Sequence, residues 1–394
     1  MLPEVKLTEV TEGKVRLLVP DLAFYSRGGA PEPAWAPIFY NPAAAVSRDL
    51  SVAILAAYVE ALGRSVTVCE PLSATGVRGL RYAAEVEGVA KVVLNDRSEL
   101  AYRVEVVNAE SNGLAERVGV YNREARALLL EFAERGEKFD VVDIDPFGSP
   151  APFVESALLA LRHGGLLMVT ATDLAPLFGS SPSSCRRKYF ATPLRSEFSK
   201  EVGARILAAF VAREAAKLGM AATPIYTFLA RHSLRVAFIV RRSRSGARRV
   251  VELIGWAVYC PRCAYRALAE YTSCGASCPR CGARLQVGGP AWTGELWERS
   301  FSLRVLEHYR RRAYLRREGL RVAEQISLEA GKPPLYTTTA VLASLARLPE
   351  EPSLAEVGRA AERLGVEFSR THFDPKGFRI GVQPYELAER LTRS

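Results

Sequence analysis

Between about residues 46 and 240, short apolar runs typical of buried strands alternate with stretches in which apolar residues recur at helical spacing. The helical spacing is clearest over residues 100–110 and 125–134. The runs that predict strands are residues 65–69, 91–94, 118–121, 139–144, 165–170, 225–229 and 234–240. This alternation predicts an α/β fold with a parallel, doubly wound sheet, in which ligands bind beyond the carboxyl ends of the strands.

The pattern changes after residue 240. Five of the nine residues 241–249 are arginine, around a Ser-Gly pair, and we expect a solvent-exposed hairpin tip there. Residues 301–330 predict one long, arginine-rich helix in which Tyr309 and Tyr314 are interleaved with the arginines, as in surfaces that hold nucleic acid.

Two shorter helices are predicted near the end of the chain, over residues 338–346 and 353–365. The second opens with Ser353 and with Glu356 three residues later, the signature of a capping box.

The amino-acid composition indicates what kind of partner the protein binds. The 394 residues carry 53 Lys and Arg against 43 Asp and Glu, a formal net charge of +10. This excess favours a polyanionic partner, nucleic acid first, although coding bias or adaptation to heat explains it equally well. No apolar run reaches the roughly 18–20 residues of a membrane span, and no secretory signal is visible at the start. We therefore expect an intracellular, cytoplasmic protein.

Two C-x-x-C turns, Cys260–Cys263 and Cys278–Cys281, are separated by fourteen residues. Such a pair of turns can place four thiolates at the corners of a tetrahedron, which suits a structural zinc ion. Disulfides are the rival interpretation, disfavoured in an intracellular chain. Cys274 lies between the turns and could replace one of the ligands.

The predicted first strand runs into a loop, residues 69–79, that is rich in small residues. Asp96 follows Gly76 by twenty residues, at the end of the next strand, where an acid can hold ribose hydroxyls. The loop is not G-x-G-x-x-G, so a dinucleotide fits it poorly, whereas in S-adenosylmethionine Arg78 can pair with the methionine carboxylate. Taken alone, the loop is weak evidence.

The predicted fourth strand ends in Asp145-Pro146-Phe147, a run that resembles the motif by which amino-methyltransferases hold an exocyclic base nitrogen. A carboxylate and a backbone carbonyl that accept both N–H bonds aim the nitrogen lone pair at a methyl donor, and the carboxylate can take the released proton. Phe147 offers a face on which an extruded base stacks. Asp143 is interpreted as a hydrogen-bonded support. The alternative is a structural Pro-Gly turn with a capping Asp.

Three segments, residues 145–150, 73–79 and 39–42 with Arg48 and Asp49, together resemble the tRNA (guanine-26, N2) dimethyltransferases of the archaeal and eukaryotic type. The resemblance covers about residues 18–387 and includes the cysteine turns. It implies a class I, Rossmann-like methyltransferase sheet, followed by a zinc-knuckle module and a mainly helical α+β C-terminal domain. It also implies an enzyme that moves one or two methyl groups from S-adenosylmethionine to the 2-amino group of guanine 26 of tRNA.

The same resemblance assigns residues. Asp145, Pro146 and Phe147 would be catalytic, with Asp145 as the base. The contacts to S-adenosylmethionine would be Phe39, Arg48, Arg78, Asp96, Glu124 and Ala125. The zinc ligands would be Cys260, Cys263, Cys278 and Cys281. The family more often has Asp at position 124, and often Gly at position 190 in a loop (residues 185–193) near the target nucleotide. Arg48 could instead pair with Asp49 or Glu60, and Phe39 could belong to the core.

These expectations divide the chain into a methyltransferase domain (residues 1–255), a zinc-binding module (256–294) and a basic tRNA-binding domain (295–394). No protein partner and no membrane contact are implied. Two other functions stay open: an amino-methyltransferase that acts on another RNA or DNA base, and a non-catalytic zinc protein that binds RNA.

Overall fold

The computed structural model of the protein describes residues 5–26, 32–270 and 275–393. A hairpin of strands β1 (Leu7–Glu12) and β2 (Val15–Pro20) precedes the main sheet. Valine and leucine side chains of β2 are buried against the rest of the molecule, so this hairpin is part of the main core.

The main sheet has seven strands in the order β5-β4-β3-β6-β7-β9-β8. They are β3 (Val66–Glu70), β4 (Val89–Asn95), β5 (Val118–Tyr121), β6 (Phe139–Ile144), β7 (Leu161–Ala171), β8 (Met220–Ala230) and β9 (Ser233–Arg242). The first five strands in spatial order are parallel, whereas β9 is antiparallel to both of its neighbours, β7 and β8. A two-residue turn joins β8 to β9, as is usual for antiparallel neighbours. The predicted α/β, doubly wound sheet is confirmed.

The helices of this part of the chain are α1 (Ala45–Leu62), α2 (Val77–Glu85), α3 (Glu99–Ser111), α4 (Ala125–Glu134), α5 (Val154–Ala160), α6 (Leu174–Leu177), α7 (Pro182–Tyr189), α8 (Ser199–Lys217) and α9 (Arg244–Glu252). β6 is buried along its whole length, as expected of a strand covered on both faces. The strand order reverses between β3 and β6, so their carboxyl ends open a crevice suited to a ligand.

The hairpin tip expected at residues 241–249 is wrong, because α9 begins there. Ser243 caps this helix by accepting the N–H of Gly246 (3.0 Å). Arginine, alanine and valine then continue it, with Ala247 and Val250 buried and the arginines exposed. The arginine run is therefore the outer face of an amphipathic helix.

A second, three-stranded sheet follows, in the order β11-β10-β12, with β10 (Ile254–Tyr259), β11 (Arg266–Glu270) and β12 (Gln286–Trp292). Its strand β12 lies against α8. There Arg205 donates hydrogen bonds to the backbone oxygens of Trp292 and Gly294, both at 2.9 Å. The small sheet is thereby fixed to the main sheet's helical layer.

The single helix expected over residues 301–330 is wrong, since the chain forms α10 (Arg299–Arg310) and α11 (Arg317–Glu329). The carboxylate of Asp49 accepts the backbone N–H of Arg316 (3.0 Å) and pairs with its guanidinium (3.1 Å), which fixes the residue just before α11. Gly319 lets the two helices meet, because a Cβ there would lie 2.1 Å from Tyr309 Oη. Tyr309 is buried and is not a surface residue, whereas Tyr314 is exposed.

The C-terminal portion is an α+β unit with its own apolar cluster. Its elements are β13 (Thr337–Thr338), α12 (Thr339–Ala346), α13 (Leu354–Arg363), β14 (Phe368–Arg370), β15 (Gly377–Ile380) and α14 (Pro384–Arg393). Both predicted helices are confirmed, and Ser353 and Glu356 form the predicted capping box. None of the helices in the described part of the chain has the length and apolar character needed to span a bilayer.

Candidate active site and metal centre

A cavity of about 840 Å³, counting its open mouth, lies at the carboxyl ends of β3 and β6. This is the position in which doubly wound sheets bind ligands. The structure brings six of the predicted functional residues into its lining: Phe39, Arg48, Arg78, Asp145, Pro146 and Phe147.

The loop after β3 forms the floor of the cavity through Ser73, Ala74 and Thr75. Ser73 Oγ donates to the backbone oxygen of Asn95 (2.9 Å), so the ends of β3 and β4 hold the loop. Gly76 has a φ of +73°, and a Cβ there would lie 2.9 Å from Leu94 Cδ1. Glycine is therefore required at this turn both by backbone conformation and by packing.

Asp145 is partly exposed in the cavity, and Arg78 donates a hydrogen bond to its carboxylate. Burial raises the pKa of Asp145, but Arg78 and Arg235 outweigh burial and lower the pKa below its usual value. Asp145 is therefore a carboxylate at neutral pH, an acceptor of N–H bonds that carries a full negative charge.

Asp143 lies beneath Asp145 and is fully buried. It accepts hydrogen bonds from Tyr82 Oη (2.6 Å) and from Arg235. The sequence interpretation of Asp143 as a hydrogen-bonded support agrees with these contacts.

Arg48 reaches the cavity wall but pairs with neither of the partners considered from the sequence. Its Nε and Nη2 donate to the two carboxylate oxygens of Glu12, at 2.6 and 2.5 Å, and Nη2 also donates to the backbone oxygen of Asn41 (3.1 Å). Glu12 belongs to β1, so the N-terminal hairpin orients an arginine of the cavity.

Two aromatic rings stand at the mouth of the cavity. The rings of Phe39 and Phe147 meet edge to face with centroids 5.7 Å apart, and 39% and 78% of these residues are exposed. An exposed Phe39 is not a core residue. Together the rings offer an apolar surface of the kind on which a base stacks.

Asp96, Glu124 and Ala125 lie outside the lining of the cavity. Asp96 follows β4, and its carboxylate accepts the backbone N–H groups of Ala74 (3.1 Å) and Ser98 (2.8 Å), which places it directly beside the floor loop. Glu124 is exposed and caps α4 by accepting the N–H of Ala127 (3.0 Å), and Ala125 is the first residue of that helix.

Several residues that line the cavity were assigned no role in the sequence analysis. Glu70, the last residue of β3, is the most informative, because burial and the carboxylates of Asp143 and Asp145 raise its pKa to about 8 against the effect of Arg78. With Glu70 largely neutral, the two guanidinium groups of Arg78 and Arg235 balance the two carboxylates of Asp143 and Asp145. The sequence signal that could have identified Glu70 as a site residue was its position at the carboxyl end of a predicted strand. The β8–β9 turn, residues 230–233, was missed because only the fold brings it to the cavity.

The loop at residues 185–193 is largely helix α7, ending at Phe190 in the left-handed conformation (φ +50°). Tyr189 Oη donates to Asp173 (2.8 Å), and Ser149 Oγ donates to Tyr189 Oη (2.9 Å). This chain of hydrogen bonds ties α7 to the 145–150 segment and leaves the Phe190 side chain exposed.

The four predicted cysteine ligands form one cluster, with all four sulfurs within 4.8 Å of one another. The distance from Cys260 Sγ to Cys281 Sγ is 3.5 Å, and that from Cys263 Sγ to Cys278 Sγ is 3.6 Å. Zinc–sulfur bonds of about 2.3 Å in a tetrahedron place sulfurs at nearly this separation. The donor set therefore fits zinc.

The two cysteine turns also have matching backbone geometry. The first sulfur of each turn, of Cys260 and of Cys278, accepts the backbone N–H groups two and three residues later. The residue after each second cysteine, Ala264 or Gly282, is left-handed, at φ +57° and +70°. Cys274 lies outside the described residues. A closed set of four thiolates is a structural site.

The sequence profile of the N2,N2-dimethylguanosine tRNA methyltransferases matches residues 13–391. The chain belongs to this family. It is 38% identical to the tRNA (guanine(26)-N(2))-dimethyltransferase of Saccharolobus solfataricus, over 98% of both chains. It is 35% identical to the tRNA (guanine(26)-N(2)/guanine(27)-N(2))-dimethyltransferase of Aquifex aeolicus, over 97% of this chain and 95% of that one.

Among solved structures, Trm1 from Pyrococcus horikoshii in complex with S-adenosyl-L-methionine is similar over 98% of this chain and 99% of that one. The TM-score is 0.83 and the sequence identity 31%. The similarity to this family therefore extends over the main sheet, the cysteine cluster and the C-terminal portion together.

Proposed function

We propose that this protein transfers methyl groups from S-adenosylmethionine to the 2-amino group of guanine 26 in tRNA. The observation that carries the proposal is the joint lining of one cavity by the Asp145-Pro146-Phe147 segment and the loop after β3. Membership of the family over nearly the whole chain supports the same reaction. A tRNA substrate is consistent with the cytoplasmic location expected from the sequence.

The cofactor would lie across the carboxyl ends of β3 and β4. Arg48 and Arg78 are suited to its methionine carboxylate, Asp96 to its ribose hydroxyls and Phe39 to packing against it. Glu124 and Ala125 at the start of α4 are suited to the adenine. The cofactor supplies an electrophilic methyl group on a sulfonium. The small residues Ala74 and Gly76, both in the left-handed conformation, would let the backbone of the loop after β3 approach the cofactor closely.

In this proposal, Asp145 and the backbone oxygen of Pro146 accept the two N–H bonds of the guanine 2-amino group. The nitrogen lone pair then points at the methyl carbon, the new N–C bond forms as the S–C bond breaks, and one amino proton passes to Asp145. Because Asp145 stays ionised, it also stabilises the positive charge that develops on the nitrogen. Phe147 would stack on the extruded base.

Recognition of the folded tRNA is assigned to the zinc-binding module (residues 256–294) and the basic C-terminal domain (295–394). The arginines of α10 and α11 include several exposed side chains, which suit the phosphate backbone. The zinc ion would keep the β10–β12 sheet in place. These domain boundaries are part of the proposal.

The test is to incubate purified protein with tRNA transcript and methyl-labelled S-adenosylmethionine, and to digest the product for nucleoside mass spectrometry with position mapping. We expect N2-methylated or N2,N2-dimethylated guanosine at position 26. Methylated adenosine or methylation of DNA would support the other base-modifying function. Absence of S-adenosylmethionine binding by calorimetry would support a non-catalytic RNA-binding protein.

A further inference from the structure

The two-residue turn between β8 and β9 forms one wall of the cavity that holds Asp145. Neither the family resemblance nor any sequence motif singles this turn out. The backbone of the turn is held by strand pairing on both sides, since Leu229 pairs with Leu234 and Ala230 with Ser233 at the ends of two long strands. Ser233 Oγ donates to the backbone oxygen of Ala230 (3.1 Å) across the turn. The two residues of the turn, Arg231 and His232, both line the cavity.

Arg231 has a φ of +51°, which lies in the left-handed region that an arginine adopts only at an energetic cost. Glycine and asparagine adopt this conformation more readily. The surrounding strands therefore hold an unfavourable backbone conformation at a position that borders the candidate active site.

Among the described residues, three arginines line the cavity, and they differ in burial and in their ion-pair partners. Arg48 is buried and paired with Glu12, and Arg78 is buried and paired with Asp145. Arg231 is 52% exposed, and its Nη2 lies 3.2 Å from Oε2 of Glu318, itself 51% exposed. A solvent-exposed ion pair of this kind contributes little stability, so an incoming anion can displace Glu318 at small cost.

We propose that Arg231 binds the phosphate next to the extruded guanosine and so positions the target nucleotide, an inference that rests on the proposed function. When a guanine 2-amino group reaches Asp145, the ribose and its phosphates must remain at the cavity mouth. The Phe39 and Phe147 rings contribute apolar surface to the cavity wall, and Arg231 contributes the exposed cation. A guanidinium forms a forked, charge-assisted pair with a phosphate.

Glu318 would exchange for that phosphate. It lies on α11, among arginines proposed to hold tRNA, so the same tRNA that enters the cavity would contact the helix that releases Arg231. Arg231 is a positioning residue in this scheme, and it takes no part in the transfer of the methyl group.

The test compares R231A, R231K and E318A with R135A, a control that removes another exposed arginine paired to a single glutamate, on α4. For R231A we expect the KM for tRNA to rise about tenfold, with kcat changed less than twofold and S-adenosylmethionine affinity unchanged. The slope of log affinity for tRNA against log salt should fall by about one. R231K should recover part of the loss, because it keeps the charge but not the fork.

E318A separates phosphate binding from a structural role. If Arg231 binds phosphate, E318A keeps or increases tRNA affinity, because it frees the guanidinium. If the Arg231–Glu318 pair only fixes α11, E318A weakens tRNA binding as much as R231A does, and the proposal is overturned. R231A with the tRNA affinity and salt slope of R135A would also overturn it. Direct tRNA binding gives these answers even if the wild-type protein transfers no methyl group, a result that would reject the proposed function alone.

Discussion

Asp145 has an unusual environment for a proton acceptor, because a buried guanidinium is its direct partner. Since Arg78 keeps the carboxylate ionised, the side chain is suited to hold an amine and to balance developing charge more than to store a proton. Its neighbour Glu70 is instead largely protonated at neutral pH, because burial raises its pKa to about 8. Glu70 therefore offsets little of the positive charge of Arg78.

Replacement of this carboxylate by an amide tests its role. For D145N we expect kcat to fall about 10²–10⁴-fold, because the amine loses its charged acceptor. S-adenosylmethionine affinity should stay the same or increase, since Arg78 loses a competing counter-charge. Single-turnover kinetics and calorimetry measure the two effects. D374N is the matched control, because Asp374 is also ion-paired, to Lys200 (3.0 Å), and is 24% exposed against 25% for Asp145. Near-normal turnover in D145N would refute the assignment.

Glu12 connects the N-terminal hairpin to the cavity through Arg48. Burial by itself raises the pKa of Glu12, but hydrogen bonding and attraction to Arg48, with the charges of Arg81 and Arg316, lower it to about 2. The folded pKa is thus below the unfolded one, so this stabilisation is present above about pH 4.5 and is lost as the pH falls towards 2. It corresponds to about 3 kcal/mol at neutral pH.

We therefore expect E12Q to lower the free energy of unfolding by about 3 kcal/mol at pH 7 and by less than half as much at pH 3. Urea unfolding at the two pH values measures the difference. E9Q is the control, because Glu9 is an exposed residue of the same strand. An E12Q effect of equal size at both pH values would show that the ion pair is not its cause.

At the scale of elements, periodicity predicted the helices and strands of the main sheet well and failed where a tertiary contact intervened. The arginine run at 241–249 lacked a visible apolar stripe, and α9 gains its buried face only by packing near β8, where Gly246 lies against Ala221. The break between α10 and α11 depends on Asp49, which is far away in the chain. A contact between residues so far apart in the chain cannot be predicted from a local sequence pattern.

The cysteine turns follow β10 and precede β12, so the metal site should control the order of the second sheet. We expect the wild type to contain one zinc ion per chain, and C281S to contain none and to expose the β10–β12 amides to hydrogen exchange while β3–β7 stay protected. Elemental analysis and exchange mass spectrometry measure both. C185A is the control, since Cys185 is buried far from the cluster in sequence. Full zinc content in C281S would exclude the four-thiolate site.

In the molecule as a whole, residues 295–394 pack against the methyltransferase domain and share part of its apolar core. Helix α1 is buried from Ala45 to Tyr58, and α10 and α11 pack on it. Aromatic residues of the later chain, including Trp297 and Phe301, belong to the main core. A chain that ended at residue 255 would expose this apolar surface, so we expect it to be unstable. Substitutions therefore test the role of the C-terminal part better than truncation.

Arg317 and Arg321 are exposed one turn apart on α11. For the double variant R317A/R321A we expect weaker tRNA binding. The slope of log affinity for tRNA against log salt should be smaller by about two, because each lost arginine removes one phosphate contact. S-adenosylmethionine affinity should not change. Filter binding over a salt series measures this, with R126A/R135A on α4 as the control pair, 57% and 58% exposed. Equal tRNA affinity in both double variants would move the tRNA site away from α11.

The strand–helix alternation, the metal-binding turns and the motif around Asp145 could be predicted from the sequence, because each depends on residues close together in the chain. The ion pairs of the buried charges follow instead from the three-dimensional fold: Arg48 with Glu12, Arg78 with Asp145, and Arg316 with Asp49. The fold also brought the turn that contains Arg231 to the cavity. Local pattern fixes backbone hydrogen bonding and the burial of one face, whereas the partner of a buried charge is chosen by whichever elements the completed fold brings within hydrogen-bonding distance.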